Sequence, residues 1–232
     1  MKKTLITLLA LAGAAVAADS TPITLPGSND FKWIAGSNAS GIGTGATAEI
    51  VQKLATAITA SNIGNTDTVG WFGGTGQNYA QNSYPNDISI TSSTSFTFTA
   101  RGGLSGEYVA LGVKLTEAAE SITLTFDTNN KLGYSLWSYD GTTATQLIGL
   151  THQSASGSVS QTYNTDTVEN SQLFVVWTAN YPGTNNAAGG GTAIAVSNIA
   201  LSYTAAPAVP EPATATLSLL ALAGLAARRR RH

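Results

Sequence analysis

His152 is the only histidine before the last residue, and in "GLTHQSASGS" it stands among the serines that a Ser–His nucleophilic pair would need. No G-x-S-x-G turn surrounds any of those serines, so the sequence places His152 in an exposed polar loop. Glycoside hydrolysis needs two carboxylates across a cleft. Glu107, Glu117, Glu120, Asp127, Asp140, Asp166 and Glu169 supply carboxylates, but no spacing pairs them, and Glu117 and Glu120 fall in a connection between strands. They read as solvated surface charges. "DTNNK" and "YDGTT" each bring a carboxylate and carbonyls without the ligand order of an EF-hand loop. "GIGTG" and "GGTGQN" are glycine-rich, yet no lysine-bearing helix start or ribose-binding acid follows them. The chain has no cysteine, which excludes thiolate zinc sites. The expectation is no catalytic residue, no metal ligand and no cofactor.

The aromatic residues remain. In "KLGYSLWSYDG" the strand period puts Leu132, Tyr134 and Leu136 on one face and Trp137 with Tyr139 on the other. Such a pair can stack on the apolar C–H faces of sugar rings, so Trp137 and Tyr139 are candidate glycan-binding residues. Trp71 and Tyr79 are two more, because they sit in a stretch that reads as long loops and is rich in Gln and Asn. The competing reading is that Trp137 and Tyr139 pack against a second sheet or lie under those loops.

The elements that must position these residues are strands. "DISITSSTSFTFTA" places Ile88, Ile90, Phe96 and Phe98 on one face, "YVALGVKL" places Val109, Leu111, Val113 and Leu115, and "SITLTFDT" places Ile122, Leu124 and Phe126. "QLFVVWTA" is apolar on both faces and predicts a central strand. "TAIAVSNIALSYT" changes face between Val196 and Ile199, which predicts a bulge near Ser197 and Asn198. Turn signals at Arg101-Gly102-Gly103, Asn129-Asn130 and Asp140-Gly141 separate these runs. The pattern predicts an all-β antiparallel sandwich or jelly roll over residues 19–204. In "ATAEIVQKLATAITA" the spacing of Ile50, Val51, Leu54 and Ile58 allows one short helix near residues 46–60.

The two ends are of a different kind. Lys2 and Lys3 precede an apolar run that closes on Ala17 and Ala18, the pattern of a secretory signal peptide over residues 1–18 with its cleavage at those alanines. Residues 205–212 form a Pro- and Ala-rich linker, residues 213–227 are an apolar run of marginal length for a transmembrane helix, and residues 228–232 are an Arg-rich cytoplasmic end. Six of the 11 basic residues lie in these end segments, so the body between them is acidic, with 12 carboxylates and a net charge near −7. Nucleic acid as a partner is excluded on that charge.

Pro210, Glu211 and Pro212, the apolar run, and Arg228, Arg229, Arg230 and Arg231 together resemble the PEP-CTERM sorting signal of Gram-negative bacteria. The resemblance covers only the tail. It implies export across the inner membrane and transient anchoring by the C-terminal helix. It also implies processing by an exosortase-like membrane enzyme and association with extracellular polysaccharide or the cell surface. The chain thus reads as an exported, non-catalytic envelope or surface protein that is structural, adhesive or exopolysaccharide-associated. The alternatives are a carbohydrate-binding module using Trp137 and Tyr139, and a jelly-roll glycoside hydrolase or polysaccharide lyase, the latter by fold analogy only.

Overall fold

The computed structural model describes residues 19–28, 31–33, 68–74, 88–100, 108–140, 142–168, 171–178 and 192–207. The expected signal peptide, the helix near residues 46–60, the transmembrane run and the turn at Arg101 lie outside these residues. Among the described residues, no helix is long and apolar enough to cross a membrane.

Twelve strands are described: β1 (Ser20–Pro22), β2 (Phe31–Trp33), β3 (Thr68–Gly74), β4 (Ile88–Ser92), β5 (Ser95–Ala100), β6 (Tyr108–Lys114), β7 (Ala119–Thr128), β8 (Leu132–Tyr139), β9 (Ala144–Gln153), β10 (Gly157–Val168), β11 (Gln172–Thr178) and β12 (Thr192–Ala205). They form two six-stranded sheets. One runs β10-β7-β12-β5-β4 with β1 beside β12, and the other runs β2-β3-β6-β11-β8-β9. Neighbours are antiparallel except β2 and β3, which pair in parallel. A parallel pair needs a crossover connection longer than a hairpin turn, and residues 34–67 provide that length.

The inward residues of both sheets meet in one core. Phe96, Phe98, Ile122, Leu124, Phe126 and Leu201 face it from the first sheet, and Trp71, Val109, Leu111, Val113, Leu136, Val175 and Trp177 from the second. At its centre Trp177 stacks on Trp71 at 6.3 Å and meets Phe126 edge-on at 5.8 Å. The expected faces of β4 to β8 are all found. β11 is central as expected, between β6 and β8.

Several expectations change. "DISITSSTSFTFTA" is a hairpin, with Ile88 opposite Phe98 and Ile90 opposite Phe96. Its tight turn lacks the usual Gly or Asn and is held by hydroxyls instead, Thr91 Oγ1 to Ser95 Oγ at 2.6 Å and Ser92 Oγ to Ser95 Oγ at 2.7 Å. Trp71 and Phe72 lie on a strand, β3, where a loop was expected. Gly70 takes φ 105° at an irregularity of that strand, and Gly73 lies so close to its neighbours that a Cβ would meet Ile88 Cδ1 at 2.6 Å. His152 belongs to β9, paired opposite Gly133, and is half-buried rather than in an exposed loop. Glu120 lies on β7 rather than in a connection, whereas Glu117 lies between β6 and β7. The bulge in β12 is where the face change put it, between Ser197 and Ala200. Asn198 there takes φ 52° and donates through Nδ2 to Asp127 Oδ2 at 2.6 Å.

Candidate functional site

The two sheets differ on their outer faces. On the first sheet, Thr123 and Thr162 point outward and share a hydrogen bond of 2.9 Å at the exposed surface. On the second, the outward residues Phe72, Tyr108, Ala110, Phe174 and Val176 are buried without belonging to the central core. Trp137 is among them. It lies opposite Phe174 in the β8–β11 ladder, is 5 % exposed, and donates from Nε1 to Ser135 Oγ at 3.0 Å. Its ring therefore is not presented to solvent.

The other sequence-predicted glycan residues are not gathered around it. Tyr139 is half-buried, two positions on and opposite Gln172, so it shares the outer face with Trp137. Trp71 points the opposite way, into the inter-sheet core. It is wholly buried, stacked on Trp177, with Nε1 donating to Pro26 O at 3.3 Å. A place on a sugar groove is replaced for Trp71 by a place in the core, because β3 threads between β2 and β6. Tyr79 lies outside the described residues.

Asp127, Asp140 and Glu117 are spread apart and engaged, Glu120 lies on β7, and the side chains of Glu107, Asp166 and Glu169 lie outside the described residues. Asp127 accepts from Ser158 and Asn198, and these bonds hold its carboxyl below the usual carboxylate range. Asp140 Oδ1 accepts the amides of Thr143 at 2.7 Å and Thr142 at 2.8 Å, which lowers its pKa too. Glu117 Oε2 accepts from Tyr203 Oη at 3.1 Å. Burial pushes the pKa of His152 down, away from the charged form. Among the described residues, no three His, Cys, Asp or Glu side chains cluster as a metal site would require.

Two concavities lined by described residues open to solvent. One, of about 430 Å³, is lined by Thr21, Ile23, Lys114, Thr116 and Tyr203 beside β1. The other, of about 310 Å³, lies between the sheets where β8 and β9 face β10. Sequence reading missed the second. Its lining comes from β8, the turn after it, β9, β10 and Ser171, and the polar stretches of β9 and β10 gave no strand signal in the sequence.

No curated protein matches the chain. Among solved structures it is similar to one described as "CBM4 structure and function", with 13 % identity, 63 % of this chain and 94 % of that chain covered, and a TM-score of 0.41. A carbohydrate-binding module of family 29 aligns at 14 % identity over 54 % of this chain and 81 % of its own, with a TM-score of 0.32. TmCBM61 in complex with beta-1,4-galactotriose aligns at 13 % identity over 50 % and 75 %, with a TM-score of 0.30. At these scores the likeness does not extend to a ligand. Beyond the last strand, residues 208–231 match the PEP-CTERM protein-sorting motif, so the tail of this chain carries that sorting signal.

Proposed function

We propose that this chain is a non-catalytic structural or adhesive component of the cell envelope or surface, delivered there by its tail. The carrying observation is that the sorting motif at residues 208–231 begins just past β12, which ends at Ala205. The β-sandwich is therefore the cargo of that signal. Export machinery and an exosortase-like enzyme are its partners in transit, and extracellular polysaccharide is its surrounding at the destination. The non-catalytic reading is supported by the engagement of Asp127, Asp140 and Glu117 in bonds that serve bulge, turn and connection. Lowered pKa values leave Asp127 and Asp140 ionised near neutrality, which suits neither for a general acid. The glycan-platform reading on Trp137 and Tyr139 draws less support, since Trp137 is almost fully buried.

The test is localisation in a bacterium that processes such tails. The intact chain is expected at the cell surface or in the extracellular matrix. A variant with Pro210, Glu211 and Pro212 replaced by alanine is expected to accumulate at the inner membrane with its tail intact by mass spectrometry. An unchanged distribution and unchanged tail mass in that variant would overturn the proposal.

A further inference from the structure

Inward positions of a two-sheet sandwich are ordinarily apolar, because each faces the opposite sheet. On β8 the inward series runs Leu132, Tyr134, Leu136 and then Ser138. Ser138 pairs with Thr145 of β9, which shares its face. Ser171, just before β11, holds the same parity as inward Leu173. Across the gap, β10 contributes Tyr163, packed in part against the core, and Thr165. The core thus gives way at one corner to hydroxyls, and the sheets enclose there the cleft of about 310 Å³. That is near the lower end of the ~300–1,000 Å³ usual for ligand pockets.

Two of these hydroxyl residues are buried, Ser138 at 9 % and Ser171 at 5 % exposed. Polar side chains at such inward positions depart from the apolar pattern of the core, and local departures of that kind are expected at functional places. The lining also has a definite chemistry. Tyr163 supplies an aromatic wall, Ser138, Thr145 and Thr165 supply groups that both donate and accept, and Asp140 supplies a carboxylate at the rim. Both turn amides go to Asp140 Oδ1, which fixes the carboxylate at the rim of the cleft. A sugar ring matches this lining, apolar C–H face to tyrosine and hydroxyls to hydroxyls and carboxylate. The size admits the end of a chain rather than its middle. None of the described lining residues is cationic, so an acidic sugar would meet only the negative charge of Asp140.

We propose that the cleft between β8, β9 and β10 binds the end of a neutral saccharide chain. This assignment stands on the geometry of the body and does not depend on the sorting route. A binding measurement on purified protein and a localisation measurement in cells therefore fail separately.

The test is isothermal titration of the full chain in detergent with maltotetraose, mannotetraose, β-1,4-galactotetraose and tetragalacturonate, and with calcium chloride. Saturable binding of at least one neutral probe is expected, with tetragalacturonate inert. Asp140→Asn is expected to weaken that binding tenfold or more. The double variant Ser138→Val, Thr145→Val is expected to lose binding while its thermal midpoint holds or rises, since valine suits the buried inward position of Ser138 and Thr145 is exposed at the cleft, where the swap costs little. A midpoint that falls in the double variant would mark the hydroxyls as structural and overturn the site. So would three inert neutral probes, affinity that survives both variants, equal binding of tetragalacturonate, or calcium binding alone.

Discussion

The centre of this protein is two indoles with opposite bonding states. Trp71 and Trp177 are both wholly buried and lie 6.3 Å apart, nearly parallel. Trp71 Nε1 donates to Pro26 O, whereas Trp177 Nε1 has no hydrogen-bond partner among the described residues. Replacing either by phenylalanine removes similar ring volume and leaves a similar void. Trp71→Phe also breaks a bond and orphans the Pro26 carbonyl, while Trp177→Phe removes a donor already buried at a cost. Trp71→Phe is therefore expected to lose about 1 kcal/mol more stability than Trp177→Phe in urea unfolding. Equal losses would mean the Trp71–Pro26 bond contributes nothing. Sequence reading made Trp71 a candidate glycan-binding residue because Gly, Gln and Asn surround it, and no run of alternation reveals a strand as short and glycine-rich as β3. Its burial depends on contacts with Trp177, far away in sequence, that no local pattern records.

At the scale of elements, the sheets are built to different rules. β7 alternates burial along its length because its outer face is wet, and "SITLTFDT" declared that plainly. β6, β8 and β11 are buried almost continuously. For β11, apolar residues on both faces announced it. For β8, Gly133 and Ser135 at outward positions gave no sign that this face is covered. β9 and β10, consecutive in sequence but in different sheets, were missed because β10 is mostly polar and the apolar Leu147, Ile148 and Leu150 of β9 do not keep a period of two. The difference between the sheets can be measured with two single substitutions on outer faces. Phe174→Ala is expected to cost about 3–5 kcal/mol, as a core phenylalanine would. Thr123→Ala, which removes an exposed threonine pair, is expected to cost less than about 1 kcal/mol. A small effect at Phe174 in chemical denaturation would refute the two-sided burial of the second sheet.

For the whole molecule, the titrating groups set a window of stability. Burial lowers the pKa of His152 below its ordinary 6.5, so the unfolded chain takes up the proton first, and stability falls as pH drops through that value. Hydrogen bonds lower Asp127 and Asp140 below 3.8, so their contribution is present above that value and disappears as they protonate in stronger acid. Burial raises Tyr203 and Tyr134 above 10.0, which stabilises the fold below that value and is lost as pH rises through the folded pKa values. Urea midpoints are therefore expected to form a plateau from about pH 7 to about pH 9, with a first step down near pH 6 and a second in strong acid. His152→Gln is expected to remove the first step and leave the second. Persistence of the first step in that variant would assign it elsewhere.

The pairing of β1 with β12 bears on how this body would carry tension. Ser20 lies opposite Thr204 and Pro22 opposite Ser202, so the first described strand runs alongside the very end of the last. β12 is also laddered to β7 along the same stretch, and to β5 further back. If the tail beyond Ala205 is held while the body is pulled away, the load enters β12 along its own axis. The ladders on its two sides then resist by sliding, with many hydrogen bonds strained together. If the two termini are pulled apart instead, Ser20 and Thr204 separate first and the β1 ladder opens one bond at a time. The sandwich is thus mechanically strong in the direction of its sorting tail and weak across its ends.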